Sequence, residues 1–503
     1  MEFPVPSSCL RMTPIKPSRT TFRSIARAEL PHYDPAAVRP AIVHIGLGGF
    51  HRAHMARYTH DLMNIEGGAF GWGIVGAGLL PQDARLHAAL ASQDWLYTLV
   101  ERGGADERVS LIGSLVGMIL AAGDSGALLD AMTRPETSIV SLTVTSHGYC
   151  LDSATRQLDP DHPMIVADLA DPERPHSTIG LIVEAYRRRM EQGVPAFTAL
   201  SCDNIEHNGR VLARAVLDYA ALRSPELVSW IAREARFPNS MVDRITPLTR
   251  PEDVAGLAAR HGIDDAAPVF SESFTQWVIE DDFADGRPDW DRVGAQFVPD
   301  VTPYERMKLR LLNASHLAIA GPARLIGYSY IHEAIGDDLL RRYMRALMER
   351  ETGPTLLPVP AVDLPAYKAA LVDRFANPAI HDSVERVNTD AALAYLLDPI
   401  RDRLAEHAPI DLLAFGVAAW IRRVRGRDQE GRPIDIRHPL AALLRERAEA
   451  GGADPGPVLA IEPLFGDLAG NSAFVATVGT QLAAIYAVGM RAALAALARE
   501  QGF

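Results

Sequence analysis

Short apolar runs alternate with longer amphipathic stretches through the first half of the chain. The runs are rich in Val, Ile, Leu and Thr and end at turn residues, as buried strands do. They span residues 41–45, 73–75, 96–100, 109–112, 138–144, 196–201 and 270–279. Because such strands alternate with helical stretches, the pattern predicts an α/β domain built on a largely parallel, doubly wound sheet.

The pattern changes near residue 300, after which apolar residues recur at helical spacing. Helices are predicted over residues 304–319, 335–351, 366–375, 391–406, 410–425, 439–450 and 474–500. We therefore predict a poorly ordered extension over residues 1–35, an α/β domain over 36–299 and a helical domain over 300–503. The extension has no apolar core typical of a secretory signal, and Met12 is an alternative start.

Composition narrows the function classes. The net charge of −13 argues against a nucleic-acid partner, and no run reaches the roughly 18 apolar residues that a membrane span needs. The three cysteines, Cys9, Cys150 and Cys202, form no CxxC motif, which argues against a disulfide framework or a zinc cage. We expect a cytoplasmic enzyme with a small-molecule substrate, as a monomer or small homo-oligomer.

A glycine turn follows the first predicted strand, in the sequence GLGGFHR. Backbone N–H groups in such a turn can approach a pyrophosphate at a helix N-terminus, which predicts a Rossmann-type dinucleotide site. His51 replaces the third glycine of the usual fingerprint, so the motif is incomplete. The candidate cofactor residues are Gly46, Gly48, Gly49, Phe50, His51 and Arg52.

Asp83, after the second strand, is the candidate acid for the adenosine ribose. A carboxylate there would repel a 2′-phosphate and favour NAD over NADP. The alternative is that Asp83 only caps the next helix.

Lysine is rare in this chain: the 50 basic residues include three lysines, Lys16, Lys308 and Lys368. Thr302, Pro303 and Glu305 fit a capping box that begins a helix before Lys308. At about 100° per residue, Asn313 and His316 share the face of Lys308.

On this partly apolar face, a lysine with a lowered pKa can act as a general base. Asn313 could donate to an alkoxide and His316 could orient a hydroxyl. The alternative is one solvated lysine and a core histidine. A second polar cluster, residues 201–209, follows a strand; its Asn204 is either a second oxyanion donor or part of an ordinary turn.

Five segments resemble the polyol-specific long-chain dehydrogenase/reductase family, which includes mannitol 2-dehydrogenases and, as relatives, hexuronate reductases. They are GLGGFHRAH at 46–54, SCDNIEHNG at 201–209, PNSMVDRITP at 238–247, QWVIED at 276–281 and K-x4-N-x2-H at 308–316. The resemblance covers the chain from about residue 41 to the C-terminus. It implies metal-free, reversible, NAD-dependent oxidation of a polyol to a ketose. The alternatives are a hexuronate reductase and a catalytically silent NAD-binding sensor.

The resemblance also implies roles for individual residues. Lys308 would be the general base, Asn204 and Asn313 the oxyanion pair, and His316 a substrate-positioning residue. Glu305 would relay protons, Asp83 would select NAD, and Asp243 and Arg386 would contact substrate.

Two segments depart from the family pattern. Residues 145–149 are TSHGY, where the family has a Thr-Glu-Gly-Gly-Tyr type of sequence, and residues 388–394 hold no lysine where the family has one. The chemistry is therefore expected to be intact, whereas the particular polyol stays open.

Overall fold

The computed structural model describes residues 13–65, 68–104, 106–152 and 155–503. They divide into two compact units, one ending at Val301 and the other running from Thr302 to Phe503. All eleven strands of the described chain lie in the first unit, and the second unit is helical. The predicted fold class is confirmed.

A five-stranded parallel sheet forms the centre of the first unit. The strands of this unit are β1 (Pro40–Ile45), β2 (Gly73–Gly78), β3 (Tyr97–Gly103), β4 (Asp106–Ile112), β5 (Leu115–Leu120), β6 (Ile139–Leu142), β7 (Thr198–Ser201), β8 (Ser240–Asp243), β9 (Val269–Glu272), β10 (Gln276–Glu280) and β11 (Gln296–Val298). The parallel sheet has the order β5-β2-β1-β6-β7. The chain adds strands on one side of β1 and then returns to add β6 on the other side. The strand order therefore reverses between β1 and β6.

Helices cover both faces of this sheet. They are α1 (Gly49–Ala53), α2 (Met55–Asn64), α3 (Asp83–Ala91), α4 (Gly126–Thr133), α5 (Pro163–Ala170), α6 (Thr178–Gln192), α7 (Asn208–Ala221) and α8 (Pro225–Glu234). A further helix, α9 (Pro251–His261), instead contributes Leu257 to an apolar cluster with β3, β4 and β9. Successive strand residues point to opposite faces. Accordingly, Val43 lies in one apolar cluster with residues of α4 and α6, whereas Ile42 lies in another with residues of α2.

Three strand predictions need correction. The runs at 96–100 and 109–112 are not in the parallel sheet: they form β3 and β4, an antiparallel hairpin joined to β9. The two residues between Gly103 and Asp106 suit a hairpin and are too few for a parallel crossover. The run at 270–279 is two strands, β9 and β10, in different sheets. The strand β5 was not predicted; Gly113 and Ser114 separate its apolar run from that of β4.

The prediction of a poorly ordered extension is wrong for residues 13–35. Phe22 and Ile25 are buried in a cluster with residues of β3, β4 and β9. The N–H of Glu29 donates to the carbonyl of Val109 at 2.8 Å. Few apolar residues among Pro, Ser and Arg are enough to attach this segment to the second sheet. Residues 1–12, where the remainder of the prediction falls, lie outside the described residues.

The second unit is organised around one fully buried helix. Its helices are α10 (Thr302–Met307), α11 (Ala314–Ile326), α12 (Ile331–Gly336), α13 (Asp338–Leu347), α14 (Leu364–Phe375), α15 (Val384–Asp390), α16 (Ala394–Ala405), α17 (Asp411–Val424), α18 (Ala441–Gly451), α19 (Gly456–Leu459), α20 (Glu462–Phe465), α21 (Ser472–Val488) and α22 (Met490–Gln501). Two π-helical segments, Lys308–Asn313 and Met348–Thr352, continue α10 and α13. Every residue of α17 after Asp411 is buried, and the helix packs against α11 and α21.

Two predicted helices of this unit are interrupted. The stretch 335–351 spans the break between α12 and α13 at Asp337. The stretch 474–500 is divided into α21 and α22 at Gly489, which has a φ of 84°. In the part of the chain that the structure describes, no single helix is long and apolar enough to cross a membrane. The pair Glu462–Gly470 and Ser472–Val488, bent by 110°, meets the criterion only when both are taken together.

Candidate active site

The turn after β1 lies where the strand order reverses. Gly46 has a φ of 88°, and a Cβ there would lie 2.2 Å from the carbonyl oxygen of Thr143, just beyond β6. The N–H of Gly46 also donates to the carbonyl of Ala77 in β2, at 2.9 Å. Since a side chain has no room here, the turns after β1 and β6 touch at the edge of an open α/β sheet where ligands bind.

The next two glycines, Gly48 and Gly49, have room for a side chain. A Cβ at Gly48 or Gly49 would have no neighbouring atom nearer than 3.8 Å, so protein packing does not require glycine at either position. Gly48 is the N-cap of α1, which begins at Gly49. The open space on the Cβ side of these two glycines fits a turn that a pyrophosphate can approach closely.

His51 and Arg52 lie behind this turn. His51 is 1% exposed, and its ring stacks on His44 of β1 with the centroids 3.4 Å apart. In the usual motif a third glycine lets the helix pack closely on the strand. Here two stacked imidazoles occupy that position between helix and strand. Arg52 donates from Nε to the carbonyl of Gly48 at 3.2 Å. Both side chains support the turn from the protein side, and Phe50, stacked on His54, is half-buried beside them.

Burial keeps the stacked histidines neutral. It lowers the pKa of His44 to about 3, and burial together with the nearby His44 lowers the pKa of His51 well below its ordinary value. The Thr143 hydroxyl donates to the carbonyl of Gly46 at 2.9 Å, so it accepts from His44 Nε2 at 3.0 Å. His44 Nδ1 then accepts from Ser141 Oγ at 2.9 Å.

Asp83 lies at the same sheet edge, as the first residue of α3 after β2. Its Oδ2 accepts a hydrogen bond from the N–H of Leu80 at 2.9 Å, and its Cβ would lie 2.5 Å from a Cβ at Gly78. Asp83 therefore holds the turn before α3, but it does not cap the helix as the alternative had it, because the N-cap is Gln82 and forms no side-chain cap bond. It also lies beside the strand that carries the glycine turn, as a ribose contact would require.

Asp203, which the sequence analysis did not single out, joins the loops after β6 and β7. Its carboxylate accepts from the hydroxyl of Tyr149 and from the N–H of Thr145, both at 2.8 Å, and burial raises its pKa. Thr145 has a φ of 61°, an unusual value for a residue with a side chain. The exposed Asn204 follows directly. The sequence signal that could have identified Asp203 is its position just after the end of a predicted strand.

Asp243 is the buried last residue of β8 and pairs with Gln276. The next residue, Arg244, is fixed by the carbonyl of Glu272 at 3.1 Å and by Glu101. The loop that follows brings Thr246 to within 3.8 Å of a Cβ at Gly49. The VDRIT motif therefore reaches the glycine turn within the first unit.

Lys308 begins a π-helical segment that the sequence analysis treated as ordinary helix. The N–H of Ala314 bonds to the carbonyl of Leu309, five residues earlier, so the assumed 100° per residue does not hold here. Such bulges are frequent at functional sites. Lys308 and His316 are each 7% exposed and Glu305 is 5% exposed. The half-buried Asn313 has an Oδ1 atom without a hydrogen-bond partner among the described residues.

A second acid that the sequence analysis missed, Asp382, joins His316 to Arg386. Arg386 donates from Nε and Nη2 to the two carboxylate oxygens, each at 2.7 Å. His316 Nε2 lies 3.6 Å from Asp382 Oδ2, and the imidazole stacks on Phe375 at 3.8 Å. An acid four residues before Arg386 was a weak signal, because such pairs are common on helices.

The segment that lacks the family lysine has a structural role. Asn388 is buried and donates from Nδ2 to the carbonyl of Ala320 at 2.9 Å. This bond fixes α15 to α11. Among the described residues, no three His, Cys, Asp or Glu side chains are grouped in a way that could hold a metal ion.

The geometry defines a class of protein: a Rossmann-type nucleotide unit followed by a helical unit that carries a buried lysine, an amide and an imidazole. Two family models match the chain. The Mannitol dehydrogenase Rossmann domain matches residues 40–292, and the Mannitol dehydrogenase C-terminal domain matches residues 300–486.

Individual relatives agree with these matches. Mannitol 2-dehydrogenase of Aspergillus fumigatus is 41% identical over 91% of this chain and 93% of its own length. The structure of Pseudomonas fluorescens mannitol 2-dehydrogenase in a ternary complex with NAD and D-mannitol has a TM-score of 0.89 and 41% identity, covering 97% of this chain and 100% of that one. A substrate-free D-sorbitol dehydrogenase has a TM-score of 0.86 and 34% identity, covering 95% and 100%. The chain belongs to the mannitol dehydrogenase family, which confirms the resemblance seen in the sequence.

The two glycines of the turn are expected to respond differently to alanine. Gly46→Ala should lower the free energy of unfolding by more than about 2 kcal/mol, because it combines a positive φ with a backbone clash. Gly48→Ala should change it by less than about 1 kcal/mol, since nothing nearby is displaced. Denaturant unfolding of the two variants measures both values. Equal losses would contradict this account of the turn.

Proposed function

We propose that this chain is an NAD-dependent polyol dehydrogenase that reversibly oxidises a secondary alcohol of a sugar alcohol to a ketose. The observation that carries the proposal is the set of buried Glu305, Lys308 and His316 with half-buried Asn313 on one helical segment. It is supported by the 41% identity to an enzyme whose structure holds NAD and D-mannitol. The first unit would be the nucleotide-binding domain and the second the substrate domain.

The glycine turn and Asp83 are the proposed cofactor residues. Gly48 and Gly49 would offer backbone N–H groups to the pyrophosphate, while His51 and Arg52 hold the turn from behind. Asp83 would accept from the adenosine ribose hydroxyls. When bound, NAD⁺ supplies the hydride acceptor for the alcohol carbon.

Lys308 is the proposed general base. A neutral amine can take the hydroxyl proton near neutral pH, which a guanidinium cannot do. Asn313 would donate to the alkoxide as it develops, and His316, held against Phe375, would orient a substrate hydroxyl. Glu305, one helical turn before Lys308, would pass the proton towards solvent.

The remaining site residues keep the roles that the family resemblance gives them. Asn204, exposed after β7 and anchored through its neighbour Asp203, is the proposed second oxyanion donor. Asp243 and Arg386 are the proposed substrate contacts. D-mannitol and D-sorbitol are both candidate substrates, since relatives named for each share the fold.

A substrate panel tests the proposed reaction. The purified chain should reduce NAD⁺ with D-mannitol or D-sorbitol, and should oxidise NADH with the corresponding ketohexose. Ketohexuronates with NADH form the second arm. Turnover of ketohexuronates alone would favour the hexuronate reductase, and NAD⁺ binding without turnover of any panel member would favour a silent sensor.

Substitution of Lys308 tests the general base. Lys308→Arg keeps the cation but removes a proton acceptor, so kcat should fall by at least about 100-fold while NAD⁺ affinity stays within about twofold. Stopped-flow turnover and fluorescence titration measure the two quantities. The matched control is Lys368→Arg, at a lysine paired with Glu349 at 2.9 Å, which should keep wild-type kcat. Normal turnover in Lys308→Arg would refute the assignment.

Substitution of Asp83 tests cofactor selection. Asp83→Asn removes the charge that would repel a 2′-phosphate, so the ratio of kcat/KM for NAD⁺ over NADP⁺ should fall by about tenfold, equivalent to about 1.4 kcal/mol. Steady-state kinetics with both cofactors measures it. An unchanged ratio would leave Asp83 with its turn contact to the N–H of Leu80 alone.

A further inference from the structure

Asp382 and Arg386 form a two-point ion pair within the second unit. Two donor atoms of the guanidinium, Nε and Nη2, each lie 2.7 Å from a carboxylate oxygen. Asp382 is buried, whereas 40% of the Arg386 side chain is exposed. Arg386 Nη2 also lies 2.6 Å from Oδ1. These short contacts hold the guanidinium in place as well as balancing its charge.

The position of Asp382 is itself fixed by the backbone. Its carbonyl accepts from the N–H of Ile331 at 2.9 Å, and the adjacent Ser383 forms the N-cap of α15, with its side chain accepting from the N–H of Arg386. These contacts fix the backbone of Asp382 directly before the start of this helix. On its other side, Asp382 Oδ2 faces His316 Nε2 at 3.6 Å.

This pairing has a consequence for substrate charge. An arginine without a carboxylate partner attracts a carboxylate ligand, whereas one already paired with a buried acid presents little net charge to it. A carboxylate brought close to Arg386 would also be repelled by Asp382. A neutral hydroxyl can still accept a hydrogen bond from a paired guanidinium.

We propose that Asp382 determines substrate class: by neutralising Arg386, it makes the site select a neutral polyol or ketose over a sugar acid. The inference rests on the proposed function, in which Arg386 contacts substrate. Asp382 acts through Arg386 and His316 and is thus a positioning residue. A sugar acid would differ from the preferred substrate in one group, a terminal carboxylate in place of a hydroxymethyl group.

Asp382→Asn tests the proposal. Asparagine keeps the size of the side chain but removes its charge, so the net charge around Arg386 would become more positive by one. The measured quantity is kcat/KM for a ketohexuronate divided by kcat/KM for a ketohexose, both reduced with NADH. This ratio should rise by about tenfold or more, mainly through a lower KM for the ketohexuronate. A general loss of His316 orientation would lower both numbers and leave the ratio unchanged.

A double variant assigns the effect to Arg386. Adding Arg386→Gln to Asp382→Asn should return the ratio to within about twofold of wild type, because the cation is then absent. Asp382→Glu retains the charge and should also stay near the wild-type ratio. The matched control is Asp428→Asn, at a buried acid paired with an arginine four residues later, Arg432, at 2.7 Å. It should not change the ratio.

The outcomes separate this proposal from the proposed function. If the wild type turns over no polyol or ketose, the proposed function fails. If the wild type is active and a folded Asp382→Asn keeps the wild-type ratio, the inference about Asp382 is overturned and the function stands. If Asp382→Asn does not fold by circular dichroism, Arg386→Gln alone replaces it. That variant leaves the Asp382 charge unbalanced and should lower the ratio below wild type; an unchanged ratio would overturn the inference.

Discussion

The contact between Gly46 and the carbonyl of Thr143 sets the geometry of the nucleotide unit. A Cβ at Gly46 would lie 2.2 Å from that oxygen, so the turns after β1 and β6 can meet only if this residue is glycine. They meet where the strand order of the parallel sheet reverses. The hydroxyl of Thr143 donates to Gly46 and accepts from His44, which ties the turn to the strand below it.

Other features of the same edge depend on this contact. Stacked neutral imidazoles fill the space behind the turn where the usual motif has a glycine, and Arg52 holds the Gly48 carbonyl from inside. Gly48 and Gly49 are thereby left with open space on their outer side. Asp203 joins the neighbouring loops through Tyr149 and Thr145. Buried polar groups thus hold the loops at the edge of the sheet that carries the glycine turn.

In the helical unit, the candidate residues are positioned by one helical segment and not by loops at a sheet edge. Its proposed catalytic residues follow one another along a single helical segment, so their spacing depends on backbone geometry. The π-helical segment Lys308–Asn313 changes that geometry at the point where the proposed base lies. His316 is then held from outside the segment, by Phe375 of α14 and by Asp382 just before α15. Asp382 also forms an ion pair with Arg386. We proposed above that this pair determines the substrate class.

The sequence by itself determined the α/β and helical halves, the glycine turn, the family and the presence of a lysine, an amide and an imidazole on one segment. These depend on local periodicity, turn chemistry and motifs. Tertiary structure decided what depends on residues distant in sequence. The hairpin of β3 and β4 lies outside the parallel sheet, and residues 13–35 pack onto a second sheet. Asp203 and Asp382 lie beside candidate site residues that sequence spacing did not connect to them. A one-dimensional pattern records which residues can be buried or charged, whereas pairing across the fold determines which of them meet.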